Sequence, residues 1–342
     1  MGVKILHSAD WHLGAAFSAF SPEQRLYLLQ QQKKLPGKIA ELAREENCAL
    51  VLLAGDLFDT PVPDRGWVDI LKEALKNMEI PVCIAPGNHD YCCPGSPWLE
   101  ETWPANVHIF TGGLESVTLP QLDCRIWGAG YQSMDCLPLL EGFHAEGPEK
   151  YRIALLHADP VNKNSPYCAV TAGQMASSGL DYLALGHVHK GGAVRNADVL
   201  CGWSGCPMGR GWDETGEKGV LLVTLADRSE IAPAVLDVPR FYDLETEDDA
   251  LPELLPPAGS RDFYRVTLVG ERREDLQQIR EKLSRFPNLF LRDNREEAQD
   301  LWADVGEATL RGVYFSLLKE QQACLTAQIS RQLLSGREVR LP

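Results

Sequence analysis

The sequence predicts an α/β fold with two packed sheets that are partly antiparallel. Over residues 1–238, short apolar runs alternate with amphipathic or irregular stretches, as in α/β proteins. Within residues 112–130 and 193–238, several strand-like runs follow one another without an intervening helix. Such neighbours pair as antiparallel strands, because a parallel connection needs a longer crossover. We therefore expect two sheets rather than one doubly wound sheet.

The individual elements follow from apolar runs bounded by glycine, proline and polar clusters. Eight strands are predicted: Val3–His7, Ala49–Ala54, Pro81–Ala85, Val107–Phe110, Arg125–Gly128, Arg152–Leu156, Tyr182–Leu185 and Val220–Leu225. Three helices are predicted: Pro22–Lys34, Pro36–Glu46 and Asp64–Asn77. We expect Pro36 and Gly37 to separate the first two helices, because proline disrupts a helix interior.

The last third of the chain has a different composition. Residues 239–259 are rich in Asp and Glu and are predicted to be an acidic, solvated linker. Residues 260–342 are expected to form a small α/β domain, with strands Phe263–Val269 and Leu289–Arg292 around the helix Glu274–Phe286. A helical pattern then runs from Glu307 to Leu334. Five of its apolar residues share one face: Leu310, Val313, Tyr314, Leu317 and Leu318.

Composition excludes several classes of protein. The chain has 342 residues, of which 44% are hydrophobic and 24% charged, so it is neither disordered nor collagenous. No apolar run approaches the roughly 18 residues that span a bilayer, and the start has no signal-peptide core. Ten scattered cysteines without a CxxC pair are expected to be reduced thiols, and we therefore expect a cytoplasmic protein.

Charge is distributed unevenly along the chain. The net charge of −15 argues against a protein that grips nucleic acid by basic bulk alone. Residues 1–259 carry 35 acidic and 19 basic side chains, whereas residues 260–342 carry 13 acidic and 14 basic ones. The two parts of the chain therefore differ in their electrostatics.

Metal-binding residue types follow five of the predicted strands. Five of the eight histidines lie there, together with three acidic residues and one asparagine; the set is Asp10, His12, Asp56, Asp59, Asn88, His89, His157, His187 and His189. The carboxyl ends of strands border the ligand crevice of open α/β sheets, so these groups can converge. Each group alone is as readily a turn or a structural histidine. Together they form a nitrogen and oxygen ligand set suited to manganese, iron or zinc.

The order of these residues resembles a known motif series. The chain contains DxH at Asp10, GDxxD at Gly55, GNHD at Gly87, a histidine at His157 and GHxH at Gly186. This series is similar to that of the calcineurin-like metallophosphoesterases, over roughly residues 1–230. The stretches around Asp10 and His187 further resemble SbcD-type DNA repair exonucleases, including the YhaO-like branch.

The resemblance implies a four-layer αββα sandwich around two divalent metal ions, with manganese expected first and iron or zinc as alternatives. It implies that Asp10, His12 and His189 hold one ion. Asn88, His157 and His187 would hold the other, with Asp56 bridging the two. Because only Asp10 and Asp56 of this set are negative, the loaded site would keep a positive charge that attracts a phosphodiester.

The same resemblance implies roles for residues that are not ligands. His89 would stabilise the scissile phosphate or protonate the leaving oxygen. Asp59 would orient His89 through a carboxylate–imidazole hydrogen bond, with a turn-capping role as the alternative. Asp90 is interpreted as a turn residue or as a residue supporting the ligands. Arg210 lies in the glycine-rich run 202–219, which either lines the substrate groove or forms a surface hairpin.

Three functions remain open at this point. The first is a two-metal-dependent phosphodiesterase that hydrolyses DNA, as an exonuclease or an endonuclease, in DNA repair. The second is a phosphoesterase acting on nucleotides or other small phosphoesters. The third is a metal-loaded DNA-binding protein that scaffolds an ATPase complex. Expected partners are DNA, an SbcC-type ATPase or a second copy of the chain, and no membrane.

A cap-like domain that binds DNA favours the first function. Eight arginines cluster in the region concerned: Arg261, Arg265, Arg272, Arg273, Arg280, Arg285, Arg292 and Arg295. Arginine suits phosphate contacts, but the interspersed acidic residues are equally compatible with a salt-bridged surface. The complete ligand set argues against a purely scaffolding role.

Overall fold

The computed structural model describes residues 2–257, 259–297 and 300–334. It confirms the α/β prediction, with most of the chain in two mixed sheets. The strands of this first unit are β1 (Val3–Ser8), β2 (Leu50–Leu53), β3 (Val82–Ile84), β4 (Val107–Ile109), β5 (Glu115–Leu119), β6 (Cys124–Gly128), β7 (Tyr151–His157), β8 (Tyr182–Gly186), β9 (Gly192–Asn196), β10 (Val199–Trp203), β11 (Gly219–Leu225) and β12 (Glu230–Val235).

Each sheet has six strands, with parallel strands in its centre. Antiparallel strands lie at both edges of the second sheet, whereas the first sheet has antiparallel β11 and β12 on one side and the parallel strand β4 at its other edge. The first sheet has the order β12-β11-β1-β2-β3-β4, and the second has the order β5-β6-β7-β8-β10-β9. The contiguous core includes Ile5 and Leu52 of the first sheet and Ile126 and Leu155 of the second. The main core therefore lies between the two sheets, and the carboxyl ends of their parallel strands open onto one edge.

Helices and loops cover the outer faces of the sandwich. The first unit contains the helices α1 (Pro22–Glu45), α2 (Arg65–Met78), α3 (Pro97–Glu100) and α4 (Ala172–Ser177). Buried Leu28 and Leu71 lie on α1 and α2, which pack together on the side of the first sheet. On the second sheet, Leu156 and Leu183 contact a layer that includes Met175 of α4. This fourth layer is mostly loop, since α4 is only six residues long.

Helix α1 is continuous through Pro36, so the predicted break between two helices is wrong. Its start is set by a capping box in which Ser21 and Gln24 satisfy each other's backbone amides. Pro36 removes one backbone donor, but Leu35, Pro36 and Ile39 are all buried. Burial of this face offsets the lost hydrogen bond, because tertiary packing supplies most helix stability in a protein.

Most of the remaining described residues form a second compact unit, made of residues 243–257, 259–260, 264–297 and 300–334, whereas residues 261–263 belong to the first unit. The elements from residue 241 onward are β13 (Phe241–Thr246), β14 (Phe263–Leu268), β15 (Glu271–Arg272), α5 (Leu276–Leu283), β16 (Leu289–Asp293), β17 (Glu296–Glu297), α6 (Leu310–Glu320) and α7 (Cys324–Leu334). The sheet order is β13-β14-β16, and β14 and β16 are parallel on either side of the α5 crossover. The predicted small α/β fold is thus present.

The predicted acidic linker differs from the structure. Residues 241–246 form strand β13, in which Asp243 and Glu245 face solvent while Thr246 is buried. Asp248 then accepts hydrogen bonds from the backbone amides of Arg273 and Glu274 and pairs with buried Arg295. The acidic composition masked a short alternating pattern, so most of this segment belongs to the second unit.

The C-terminal helical pattern divides into a hairpin of two helices. Phe315 and Leu318 of α6 and Ala327 of α7 form its small core. The apolar face predicted from the sequence is largely exposed at four positions, namely Leu310, Val313, Tyr314 and Leu317. No helix in the described ranges is long and apolar enough to cross a lipid bilayer.

Candidate metal centre

The predicted ligands converge at the carboxyl ends of five parallel strands. Asp10 and His12 follow β1, Asp56 follows β2, and Asn88 follows β3. His157 is the last residue of β7, and His187 and His189 follow β8. Both sheets therefore contribute to one site. This convergence agrees with the sequence-based expectation for open α/β sheets.

One cluster consists of Asp10, His12 and His189, whose candidate ligand atoms all lie within 4.8 Å of one another. The Nε2 atoms of His12 and His189 are only 3.2 Å apart. Two imidazole nitrogens and a carboxylate at this spacing form a set that suits a transition-metal cation.

A second cluster adjoins the first through Asp56. The Oδ2 atom of Asp56 lies 3.7 Å from Nε2 of His12 and 3.5 Å from Nε2 of His157. The same His157 nitrogen is 2.9 Å from Oδ1 of Asn88. Asp56 therefore lies between the two groups of residues, where a bridging ligand is expected.

His187 takes a different position from the other predicted ligands. Its backbone amide donates to Oδ1 of Asp10 at 2.9 Å, and its ring lies 5.3 Å from that of His157. Tyr167 covers the His187 ring at a centroid distance of 4.7 Å. The described acidic and histidine clusters do not include His187, although it borders the centre.

Four of the predicted ligand residues adopt left-handed backbone conformations. The φ angles are +57° at Asp10, +47° at His12, +51° at Asp56 and +88° at His187. Non-glycine residues rarely adopt such angles, and strained backbone concentrates at functional sites. The turns after the strands are therefore shaped to aim side chains rather than to minimise local strain.

Glycines in two motifs allow a close approach of the chains. A Cβ atom at Gly87 would lie 2.3 Å from Oδ1 of Asp56, and one at Gly186 would lie 1.9 Å from the carbonyl oxygen of Ala54. Both contacts are far inside van der Waals distance. Glycine is therefore required in GNHD and GHxH because the ligand-bearing strands pass so close to each other.

Burial makes the centre unfavourable for negative charge unless a cation is bound. Burial raises the pKa of Asp10 to about 6 and also raises that of Asp56. Burial lowers the pKa of His12 to about 4 and also lowers that of His157, which favours neutral imidazoles. Among the described residues, the buried Oδ2 atom of Asp10 has no hydrogen-bond partner. These residues fit a divalent cation.

Asp59 contacts a different histidine from the one predicted. Its Oδ1 atom lies 3.1 Å from Nδ1 of His12, whereas His89 Nδ1 is 3.4 Å from the backbone oxygen of Asp59. The predicted carboxylate–imidazole bond to His89 is therefore wrong, because the Asp59 side chain turns towards His12, a predicted ligand. His89 is held instead by its backbone amide, which donates to Oδ1 of Asp56 at 2.8 Å.

Asp90 supports the loops that carry the ligands. Its buried carboxylate accepts hydrogen bonds from the backbone amides of Asp56, Leu57, Phe58 and Gly87. These bonds tie the turn after β2 to the turn after β3. The interpretation of Asp90 as a supporting residue agrees with this geometry.

The sequence does not predict a supporting role for three residues near the centre. Glu214 binds Nδ1 of His189 at 2.7 Å, and Arg210 binds Glu214 at 2.8 Å. Buried Gln32 of α1 donates to the carbonyl oxygen of His12 at 2.8 Å. The glycine-rich run that contains Arg210 was a weak signal for the groove, but neither Glu214 nor Gln32 belongs to a recognisable motif.

Comparison with known families agrees with this geometry. A family model described as calcineurin-like phosphoesterase matches residues 3–191, more than half of the chain. The chain is a calcineurin-like phosphoesterase. The resemblance seen in its motifs is therefore confirmed, and the matched region contains all seven predicted ligands.

This calcineurin-like phosphoesterase has relatives of two kinds. It is 30% identical over 232 residues to the uncharacterized metallophosphoesterase YhaO of Bacillus subtilis, which covers 64% of this chain and 56% of YhaO. It is 22% identical over 330 residues to the SbcD subunit of the nuclease SbcCD of Staphylococcus epidermidis. This alignment covers 85% of each chain. The matched region thus spans little more than half of YhaO.

Solved structures with a similar arrangement include an archaeal phosphodiesterase and a dimetal phosphatase from Danio rerio. The first is 18% identical and covers 68% of this phosphoesterase and 100% of its own chain, with a TM-score of 0.38. The second is 14% identical and covers 68% of this chain and 95% of its own, with a TM-score of 0.45.

Proposed function

We propose that this phosphoesterase is a two-metal-dependent phosphodiesterase that hydrolyses DNA in repair, as an exonuclease or an endonuclease. The observation that carries the proposal is the buried Oδ2 atom of Asp10, which has no hydrogen-bond partner among the described residues and belongs to a residue that clusters with His12 and His189. Similarity to the SbcD subunit of the nuclease SbcCD over 85% of both chains supports DNA as the substrate.

The proposed ligands follow the two clusters. Asp10, His12 and His189 would hold one ion, Asn88, His157 and His187 would hold the other, and Asp56 would bridge them. Manganese is the first candidate, with iron or zinc as alternatives, because the donors are nitrogen and oxygen without thiolate. When bound, two such ions lower the pKa of water and neutralise charge that develops on a phosphoryl group.

His89 is proposed as the catalytic group for the leaving oxygen. Its backbone amide is anchored by Asp56, and its Nδ1 lies 3.4 Å from the carbonyl oxygen of Asp59. If the Nδ1–H group donates a hydrogen bond to that oxygen, the proton that the leaving oxygen takes up is carried on Nε2. A positioned acid of this kind contributes about 10²–10⁴-fold to rate.

A side-by-side assay tests the proposed substrate. Full-length protein with manganese is offered end-labelled DNA and a chromogenic phosphodiester, with an Asp56→Asn variant as the control for metal-dependent turnover. We expect both substrates to be cleaved by the wild type and neither by the variant. Cleavage of the chromogenic ester without any DNA cleavage would contradict the proposal that DNA is the substrate. It would favour an enzyme that acts on small phosphoesters.

A small phosphoester is the second candidate substrate, and one observation favours it. Several arginines of the second unit are paired with acidic residues: Arg265 with Asp243, Arg273 with Asp249, and buried Arg295 with Asp248 and Asp293. A carboxylate partner offsets the positive charge of a guanidinium, so paired arginines attract the phosphates of a polymer less strongly. Exposed Arg280 and Arg285, on and after α5, remain the better candidates for DNA contacts.

Charge reversal separates the two substrates in the full chain. The double variant Arg280→Glu, Arg285→Glu should weaken DNA cleavage and reduce the salt dependence of DNA binding by about two phosphate equivalents. Its turnover of the chromogenic ester should stay at the wild-type level. Arg273→Glu is the matched control, because that arginine is exposed but already paired with Asp249.

An SbcC-type ATPase is the proposed protein partner, since the relative from Staphylococcus epidermidis is named as one part of a nuclease with more than one subunit. The exposed Leu310, Val313 and Leu317 of α6 support a protein contact there. Co-elution of the chain with an SbcC-type ATPase, and its loss in Leu317→Glu, would be expected. Separate elution at micromolar concentrations would contradict the proposed partnership.

A further inference from the structure

Two carboxylates lie behind the two histidines of one cluster. Asp59 Oδ1 is 3.1 Å from Nδ1 of His12, and Glu214 Oε1 is 2.7 Å from Nδ1 of His189. The Nε2 atoms of the same two rings are 3.2 Å apart. A carboxylate that accepts the Nδ1–H of a histidine fixes the tautomer whose Nε2 lone pair is free to bind a metal.

Arg210 joins these two carboxylates. Its Nη1 atom is 3.4 Å from Oδ1 of Asp59, and its Nη2 atom donates to Oε1 of Glu214 at 2.8 Å. The backbone amide of Arg210 also donates to Oε2 of Glu214 at 2.7 Å. One guanidinium therefore connects the supports of His12 and His189, which come from distant parts of the chain.

The guanidinium has a physical reason to be there. The Glu214 side chain is only 3% exposed, and a buried carboxylate needs a compensating charge. Asp59 and Glu214 would also repel each other across the two imidazoles. A planar guanidinium that donates to both is suited to this task, whereas a lysine offers a single point of charge.

The other histidines of the centre are supported differently. His157 Nδ1 lies 2.8 Å from the backbone oxygen of Ala54, with no side chain involved in that contact. The carboxylate beside His187 is that of Asp159, 3.8 Å from its Nε2 atom. Within the described residues, the hydrogen bonds of Arg210 include neither of these histidines.

We propose that Arg210 is a positioning residue that sets the affinity of one metal position alone, the one formed by Asp10, His12 and His189. It acts through Asp59 and Glu214, which hold the two imidazoles, and its Nη2 atom also lies 3.2 Å from Nδ1 of His189. The position formed by Asn88, His157 and His187 does not depend on it. This inference deepens the two-metal site proposed above and rests on it.

Manganese binding in two single-site backgrounds tests the inference. In full-length Asn88→Ala, the remaining ion occupies the Asp10 position; in Asp10→Asn, it occupies the Asn88 position. Adding Arg210→Met should weaken Mn²⁺ binding about 10–100-fold in the first background, as removal of such supporting contacts generally does. In the second background we expect less than a twofold change. Calorimetric titration and the Mn²⁺ resonance spectrum provide readouts that do not depend on activity.

Three further variants control the result. Glu214→Gln should reproduce the selective loss if Arg210→Met proves insoluble, and Arg210→Lys should be intermediate. Arg152→Met removes a comparable half-buried ion pair, in which Nε of Arg152 on β7 lies 3.4 Å from Oδ2 of Asp181. This pair lies outside the centre, so the variant should not change the Mn²⁺ affinity of either metal position.

Equal weakening of both positions, or of neither, would overturn the role of Arg210 while leaving the two-metal proposal intact. Wild-type protein that binds fewer than two Mn²⁺ ions would instead refute the proposed two-metal site, and the inference with it. The two failures are therefore distinguishable in one set of titrations.

Discussion

The carboxylate of Asp90 accepts a hydrogen bond from the backbone amide of Asp56 at 3.1 Å. Three further backbone amides donate to the same side chain, and burial raises its pKa to about 6. Asp56, the proposed bridging ligand, is thus held in its left-handed conformation by a buried acid that is not itself a predicted ligand. This relationship makes the shape of the site sensitive to a residue outside the ligand set.

Asp90→Asn should destabilise the protein by about 2 kcal/mol, because an amide group would replace one acceptor and face backbone donors. The free energy of unfolding in urea measures the effect. Asp123→Asn is the matched control: Asp123 is exposed, has a φ angle of +51° that asparagine tolerates, and accepts one amide bond from Lys150. A loss as small as that of the control would show that the Asp90 bonds contribute little.

Asp56→Asn should remove metal-dependent hydrolysis without unfolding the chain. In metal-free protein we expect no loss of stability, because the substitution removes a buried charge whose pKa is already raised by burial. The wild type should gain about 2.7 kcal/mol when Mn²⁺ is present at 100 times its dissociation constant, and the variant much less. Thermal unfolding without and with Mn²⁺ measures the stability of the metal-free proteins and the increase that the ion causes. An equal increase in the wild type and the variant would show that Asp56 is not a ligand.

His89→Ala separates a ligand from a catalytic group. We expect two bound metal ions and a turnover lower by about 10²–10⁴-fold. Elemental analysis and steady-state kinetics are measured on the same preparation, with the exposed His144→Ala as the control. Because His89 also falls in a cluster with His12 and Asp56, loss of one ion in this variant would make it a ligand and contradict the catalytic assignment.

His7 should make the protein sensitive to acid. It is buried between the Tyr182 hydroxyl and the Leu185 carbonyl, and burial lowers its pKa from 6.5 to about 3. The unfolded chain therefore takes up a proton below pH 6.5 that the folded protein does not, so this contribution to stability is complete above pH 6.5 and is lost towards pH 3. From pH 7 to pH 4.5 the loss amounts to about 2–3 kcal/mol.

The variant His7→Gln retains groups that can bond to both partners but cannot titrate. Its free energy of unfolding should fall less between pH 7 and pH 4.5 than that of the wild type, by the amount given above. The other titrating groups are common to both proteins and cancel in the comparison. An identical acid-induced loss would show that His7 takes up its proton in the folded state.

The sequence was sufficient for the parts of the molecule that depend on local pattern. The candidate ligands follow strand ends, so apolar runs followed by Asp10, Asp56 or His157 predicted where these side chains converge. The break expected at Pro36 failed because burial against neighbouring elements outweighs the loss of one hydrogen bond. The linker expected before residue 260 failed because two buried positions, Phe241 and Thr246, are spaced among acidic neighbours.

Side-chain partners could not be predicted in the same way. Asp59 is close to both His12 and His89 in space, and only rotamers decide that its carboxylate meets His12. Glu214 and Arg210 lie in a run without periodicity, so nothing in the sequence relates them to His189. On α6, an apolar face was visible, but which side is buried depends on the packing of α7.

The left-handed turns at Asp10, His12, Asp56 and His187 limit how this centre can be transplanted. A designer who grafts only the ligand side chains onto the strand ends of another sandwich would start from relaxed loops that aim them elsewhere. The whole turns would have to be copied, together with Gly87, Gly186 and the Asp90 carboxylate that joins the turns after β2 and β3. The smallest part that could be transferred to another protein is therefore the set of these turns together. Point substitutions alone could not recreate the arrangement of the side chains.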